Sequence, residues 1–134
     1  MATKDLRTLD PAAPIGKLQF QQLSWATGEG HAAQTATFNG AIMLIERVDV
    51  LISSVTANPT VTITWADENG VVILVGTNFA TLADGTNHLF LSTKATADFD
   101  AIPVNNDITI TVDPSADAGG AGQTLTVDVI MYGP

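Results

Sequence analysis

A chain of 134 residues is long enough for one domain with a single buried core. It contains no cysteine, so neither disulfide bonds nor a thiolate metal site can hold the fold together. Hydrophobic residues make up 46% of the chain and charged residues only 14%, which predicts that part of the surface is covered in an assembly.

The formal net charge of −9 is unevenly distributed along the chain. Residues 1–17 carry three basic and two acidic side chains, whereas residues 18–134 carry two basic and twelve acidic ones. Such an acidic body would repel phosphate backbones and anionic lipids, so we expect neither nucleic acid nor a membrane as a partner. No apolar run approaches the ~20 residues of a membrane span. The N-terminus lacks the apolar core of a signal peptide, so we expect synthesis in the cytoplasm without export by the general secretory route.

Residues 1–16 (MATKDLRTLDPAAPIG) contain two prolines and show no sustained hydrophobic period, which predicts an extended N-terminal arm. A solvated tail is the ordinary interpretation of such a terminus. Because the arm is basic and the body acidic, the functional interpretation is an arm that docks on an acidic surface or on a neighbouring copy. The candidate contact residues are Lys4, Arg7, Leu9 and Lys17.

A first strand is predicted over residues 17–25, where apolar side chains alternate with polar ones. The alternation slips at residues 21–22 (Gln-Gln), which predicts an irregularity in the strand. Residues 34–38 predict a short second strand. The Asn39-Gly40 pair that follows is the strongest short hairpin signal in the chain.

Residues 41–55 (AIMLIERVDVLISSV) fit two secondary structures. We favour a strand, because β-branched residues are frequent and hairpin signals flank the segment. The alternation slips near Glu46 and Arg47, which in a long strand indicates a bulge or bend. An amphipathic helix is the alternative, since apolar residues also recur here at helical spacing.

The clearest element is a hairpin over residues 59–76 (PTVTITWADENGVVILVG). In its first strand Val61, Ile63 and Trp65 alternate with threonines, so one face is apolar and the other carries hydroxyl groups. Gly70 offers the positive φ that a short hairpin connection needs. We therefore expect the apolar face of this strand to form part of the core.

The second strand of this hairpin, residues 71–75, is apolar at five consecutive positions. Each of its two faces must be covered, either by another layer of the same chain or by a neighbouring subunit. Since the chain has few charged residues with which to cover every sheet, we interpret Val72 and Leu74 as candidate subunit-interface residues.

The C-terminal half predicts more strands of the same kind. A turn over residues 83–86 precedes a short strand at residues 88–92. Two strands with regular alternation follow at residues 108–112 and 124–132. The glycine-rich segment between them, residues 115–123, is expected to be flexible and exposed.

The chain thus holds about eight predicted strands separated by turn signals, a pattern typical of an all-β protein. We predict a single β-sandwich over residues 17–134, with the jelly roll as its candidate topology. The extended arm, residues 1–16, precedes it.

No catalytic motif stands out in the sequence. His31 and His88 are far apart along the chain, and no serine lies in a nucleophile elbow, so a structural role is the ordinary interpretation of both histidines.

Asp98 and Asp100 could place two carboxylates on one side of an extended segment, as glycosidase or calcium chemistry needs, but paired acidic residues in a loop are usually solvated. Asp113 and Asp117, beside the glycine-rich segment, are of the kind that can bind calcium, but the spacing of a calcium-binding loop is absent. We expect no enzymatic activity, no metal and no cofactor.

The whole chain resembles the head decoration, or cement, proteins of tailed bacteriophages. The shared features are a short, acidic chain without cysteine, an arm with Lys4 and Arg7, and strands such as VTITW and ITITV. The resemblance implies a homotrimer on the exterior of the virion, made in the host cytoplasm. It also implies binding between subunits of the major capsid protein, which stabilises the shell, with the arm as a docking element.

A carbohydrate-binding or adhesive β-sandwich module of a viral fibre or surface protein is the alternative. Such a module would use aromatic side chains on a loop or a concave face, and Trp25, Trp65 and Tyr132 are the candidates. The burial of Trp65 separates the two hypotheses, because a buried indole cannot bind a sugar.

Overall fold

The computed structural model describes residues 17–70, 72–74, 79–90 and 102–133. Within these ranges the chain forms eight strands, all paired antiparallel, and no α-helix, so no helix there could cross a membrane. The strands are β1 Lys17–Ala26, β2 Gln34–Ile45, β3 Arg47–Ile52, β4 Val61–Ala66, β5 Val72–Leu74, β6 Gly85–Phe90, β7 Ile102–Pro114 and β8 Thr124–Gly133. The predicted arm, with Lys4, Arg7 and Leu9, lies outside the described residues.

The strands form two four-stranded sheets. The first sheet has the order β1-β8-β3-β6 and the second has the order β2-β7-β4-β5. Consecutive strands alternate between the sheets except at the β4–β5 hairpin, and β1 pairs with β8, β2 with β7, β3 with β6 and β4 with β5. This nested pairing is the jelly-roll arrangement. The predicted all-β sandwich is therefore confirmed.

The core lies between the two sheets and is filled by the inward positions of each strand. In β8, buried and partly exposed residues alternate over the whole strand, as a half-buried strand requires. Trp65 of β4 is fully buried; its ring stacks on Phe38 with centroids 6.0 Å apart and planes 1° apart. Phe79 meets the same indole edge-on at 5.6 Å. Large aromatic side chains thus fill the core side of the second sheet.

The Asn39-Gly40 pair forms a bulge within β2, so the predicted hairpin turn was wrong. β2 runs through this pair, and its register with β7 shifts between Phe38 and Ala41. Gly40 has a φ of 59°, and its amide donates a 2.7 Å hydrogen bond to Asp107 Oδ1. A positive φ serves a bulge as well as a turn, which explains why the local signal was misread.

The strand prediction for residues 41–55 is confirmed up to Ile52, residues 53–55 lie beyond the end of β3, and the helical alternative was wrong. Glu46 lies between β2 of the second sheet and β3 of the first, so it marks the corner where the chain changes sheets. Its amide donates a 3.0 Å hydrogen bond to the Tyr132 carbonyl oxygen. The slip in the hydrophobic alternation was therefore the signal of this corner.

The predicted irregularity at residues 21–22 is absent. β1 pairs with β8 without a break from Lys17 to Ala26. The slip in the pattern has another cause: Leu23 and Trp25 face the core, whereas Leu18 and Phe20 lie on the outward side of the same regular strand.

The glycine-rich segment 115–123 is only partly exposed, although it was predicted to be flexible and exposed throughout. Ser115, Gly119, Ala121 and Gly122 are exposed, whereas other residues of the segment are packed. Ala118 within it is only 1% exposed, and its carbonyl oxygen accepts a 2.9 Å hydrogen bond from the Ala57 amide. The side chain of Gln123 accepts a 2.8 Å hydrogen bond from the Thr56 amide. Gly119 allows the two loops to pack closely, because a Cβ atom at this position would lie only 3.0 Å from the Ala57 Cβ.

The predicted hairpin over residues 59–76 is present where the structure describes it. Asp67 and Gly70 close its turn with a 3.0 Å backbone hydrogen bond, and Gly70 has a φ of 79°. β5 is the edge strand of the second sheet. The side chains of Val72, Leu74 and Lys17 lie outside the described part of the chain, so their proposed contacts stay predictions.

Candidate interaction surface

The outward face of the second sheet is covered by hydroxyl groups. Its outward positions on β2, β4 and β7 include Thr35, Thr37, Thr62, Thr64, Thr109 and Thr111. The hydroxyl oxygens of the cross-strand pair Thr37 and Thr109 lie 3.3 Å apart. Threonine satisfies the β-propensity of a strand while its hydroxyl group remains compatible with water, so this face is suited to solvent.

The outward face of the first sheet is different, because large apolar side chains lie on it. Leu18 and Phe20 of β1 are 57% and 50% exposed. In the ladder with β8 they lie opposite Tyr132 and Ile130, both partly exposed. We call these four residues the apolar patch. Cross-strand neighbours lie about 5 Å apart, so the four side chains form one continuous surface.

A charged cluster adjoins the apolar patch. Asp49 is 4% exposed although it occupies an outward position of β3. Its carboxylate lies 3.1 Å from an Arg47 guanidinium nitrogen and 2.7 Å from His88 Nδ1. The Arg47 guanidinium also lies 4.0 Å from the centre of the Tyr132 ring, a cation–π contact. The cluster therefore holds the charges beside the patch in fixed positions.

A groove opens farther along the same outward face. It has a volume of about 240 Å³, and its walls include Leu51, Ser53, Gly85, Thr86, Thr126 and Asp128. The carboxylate of Asp128 accepts a 2.7 Å hydrogen bond from the Gln22 side-chain amide. In the part of the chain that the structure describes, Asp49 forms ion pairs with Arg47 and His88, whereas Asp128 forms none. We call this feature the Asp128 groove.

Asp117, considered above as a calcium ligand, joins two loops instead. Its two carboxylate oxygens accept hydrogen bonds from the amides of Gly119 at 2.9 Å and Gly28 at 3.0 Å. These bonds, the one from Gly119 first, hold the pKa of Asp117 below its usual value, and His31 adds a smaller effect in the same direction. The described residues contain no group of three or more side chains placed to hold a metal ion. Asp98 and Asp100 lie outside those residues.

The two histidines occupy separate structural settings. His31 lies in the β1–β2 loop with Nδ1 3.1 Å from the Pro114 carbonyl oxygen. His88 lies on β6 beside Asp49. The cluster of Asp49 and His88 was not found from sequence, because the pairing of β3 with β6 brings together residues that lie 39 positions apart.

The aromatic residues of the carbohydrate-binding alternative do not form a binding platform. Trp65 is fully buried and Trp25 is 4% exposed. The Trp25 indole donates a 2.7 Å hydrogen bond to the Ala32 carbonyl oxygen, which fixes it in the core. Tyr132 is on the outward face, but Arg47 covers its ring. Burial therefore excludes Trp25 and Trp65 as sugar-binding candidates of this alternative, and Tyr132 alone does not form a platform.

No protein-family model matches the chain, and no curated protein sequence matches it. Among solved structures it is similar to a chain of the cyanophage Pam1 capsid asymmetric unit, with 16% identity and a TM-score of 0.46 over the whole of both chains. A chain in a structure of infectious bursal disease virus, Gx strain, is similar at 12% identity and a TM-score of 0.41, over 96% of this chain and 36% of that one. The SPBc2 prophage-derived protein YomS is similar at 14% identity and a TM-score of 0.34, over 92% and 99%. At these TM-scores the similarities carry no argument about function.

Proposed function

We propose that the chain is a virion structural protein that decorates a phage capsid. In this role it binds between subunits of the major capsid protein on the exterior of the shell and stabilises them. The apolar patch is the observation that carries the proposal. Leu18 and Phe20 are exposed on a regular, rigid sheet, where a partner can cover them without any rearrangement of the fold.

The energetic argument rests on the removal of apolar surface from water. Full burial of a leucine or phenylalanine side chain contributes about 1.5–3 kcal/mol. A specific interface normally buries roughly 1,200–2,000 Å² in total, so the patch would form the centre of a larger contact. Because a partner that binds only the assembled shell stabilises it by mass action, the role requires no catalysis.

The composition and the fold support the same proposal. With 14% charged residues, the chain has an unusually large share of surface to cover in an assembly. Jelly rolls are a common architecture of viral capsid domains, although the fold alone does not fix a function. In the proposed assembly the chain is a homotrimer, and residues 1–16 act as a docking element.

The test is a reconstitution of the shell. The purified chain is added to capsids of the phage that encodes it, prepared without this protein. We expect saturable co-sedimentation and a higher temperature of shell disruption, together with a trimer mass by light scattering. A stable monomer that does not bind these capsids would contradict the proposal.

A further inference from the structure

The Asp128 groove has the chemistry of a site for a long basic side chain. Leu51 supplies an apolar wall, and Asp128 places a carboxylate beside it. An arginine or lysine side chain has an apolar stem and a cationic end, so it can contact both groups at once. The groove is open to solvent along one side, which suits an extended peptide rather than an enclosed small molecule.

The chain itself carries a segment with matching chemistry. Three of its five basic residues lie within residues 1–17, ahead of a body with ten excess negative charges. Within this segment, Arg7 and Leu9 are two positions apart, so in an extended conformation they point to the same side, about 6.7 Å from each other. Leu51 and Asp128 are directly opposite in the β3–β8 ladder, with side chains about 5 Å apart. The two spacings are therefore similar, and the long Arg7 side chain can span the difference of about 2 Å.

The segment is also long enough to reach the groove. Asp128 lies opposite Gln22 in the β1–β8 ladder, five residues along β1 from Lys17. That distance is about 17 Å along the strand, with one further strand spacing of about 5 Å. The ten residue steps from Lys17 back to Arg7 span up to about 35 Å. Gly16 directly precedes β1 and allows the chain to reverse direction there.

We propose that residues 7–9 of this chain dock in the Asp128 groove, with Arg7 at the Asp128 carboxylate and Leu9 against Leu51. The inference concerns the arm and the body of its own chain, so it goes beyond the proposed function, and it names the acidic surface on which the arm docks.

Disulfide trapping tests the proposal, because the chain has no cysteine of its own. Pro11→Cys lies on the side of the extended arm that Arg7 and Leu9 share, and Thr86→Cys lies at the groove, opposite Leu51 in the β3–β6 ladder. This pair of substitutions leaves Arg7, Leu9 and Asp128 in place. The matched control combines Pro11→Cys with Thr64→Cys on the hydroxyl-covered face. Under mild oxidation we expect a disulfide in the groove variant, at least tenfold faster than in the control. Equal rates, or no disulfide in the groove variant, would overturn the proposal.

A charge exchange provides the second measurement. In the groove variant, Arg7→Glu is expected to slow trapping by about threefold or more, the size of effect expected for a surface ion pair. Adding Asp128→Lys should restore the rate, whereas adding Asp113→Lys on the other sheet should not. If Asp128→Lys does not restore trapping, Asp128 is not the partner of Arg7 and the assignment is wrong.

Both measurements use the isolated chain without capsids. Their failure would remove the docked arm and leave capsid binding by the apolar patch untouched. Conversely, a trapped arm in a protein that never binds capsids would overturn the proposed function and not this inference. Electrophoresis without reductant also shows whether the disulfide joins one chain or two copies. We expect a product within one chain, and a product that joins two copies would overturn docking of the arm on its own body.

Discussion

The outward faces of the two sheets differ in the residues that occupy their strand positions. Both are antiparallel sheets whose inward positions fill one core, and both need residues of high β-propensity at their outward positions. The second sheet uses threonine at many of these positions, whereas the first uses Leu18, Phe20, Ile130 and Tyr132 at one end.

This difference separates what folding requires from what it does not. The threonine face shows that this fold can fill most outward strand positions without large apolar groups; Leu44 of β2, at 37%, is less exposed than either Leu18 or Phe20. Leu18 and Phe20 are therefore not a requirement of the sandwich, and their exposure costs solubility without a gain in core packing. An interaction with a partner explains their presence, and the predictions below compare the two faces.

The largest effect is expected from Phe20→Asp. The substitution places a charge at the centre of the proposed contact, where a buried aromatic anchor typically contributes about 2 kcal/mol or more. We expect capsid affinity to fall by at least ~30-fold, the equivalent of that free energy. Quantitative co-sedimentation over a range of protein concentrations measures the affinity.

Thr35→Asp is the matched control on the hydroxyl-covered face. It introduces the same charge at an exposed outward position of β2, which is an edge strand of its sheet just as β1, the strand of Phe20, is in the other. We expect an affinity within about twofold of the unmodified chain, since surface substitutions away from a contact have small effects. Equal losses from the two variants would remove the distinction between the faces.

A smaller effect, on folding stability, is expected from Asp49→Ala. The carboxylate of Asp49 is almost fully buried and pairs with Arg47 and His88. Its removal abolishes both charge-assisted hydrogen bonds. We expect the free energy of unfolding to fall by about 2 kcal/mol. Urea denaturation measures this as a lower midpoint with an unchanged slope.

Asp113→Ala is the corresponding control on the second sheet. Asp113 is exposed on β7, opposite Thr62, and its removal should change the free energy of unfolding by less than about 0.5 kcal/mol. If the two alanine variants are equally stable, the charged cluster contributes to the shape of the first face but not to its stability.

Local patterns predicted the strands well because the period of two is a direct consequence of one-sided burial. β4 and β8 follow their predicted alternation, and the corner at Glu46 was visible as a slip in that alternation. The same logic failed at Asn39-Gly40, where the backbone requirement of a bulge resembles that of a turn. Local sequence cannot distinguish the two, since the partner strand β7 decides which one forms.

The candidate surface was less predictable than the fold. Leu18 and Phe20 were interpreted only as part of an alternating strand. The apolar positions change from one face of the strand to the other between Phe20 and Leu23, so the pattern alone did not show which pair faces the core. The Asp49 cluster and the Asp128 groove arise from pairings among β3, β6 and β8. These strands are distant in sequence, so no local signal could reveal them.

The smallest expected effect is on the pH dependence of folding stability. It involves Asp117, which lies in a loop and belongs to neither outward face. The hydrogen bonds from Gly119 and Gly28 lower the pKa of Asp117 in the folded chain below its usual value of 3.8. A lowered pKa means that the folded chain binds this proton less readily than the unfolded chain. The contribution of Asp117 to stability is thus fully present above that usual value, and it is lost as the pH falls through the lower pKa of the folded state.

Asp117→Asn should remove this part of the pH dependence. At neutral pH the variant is expected to be the less stable of the two, and the difference should narrow as the pH falls below 3.8, because the unmodified chain then loses the same interaction. Denaturation midpoints measured from pH 7 down to pH 2 for both chains give the comparison. A difference that stays constant over this range would mean that the two loops are joined by packing around Ala118 rather than by the carboxylate.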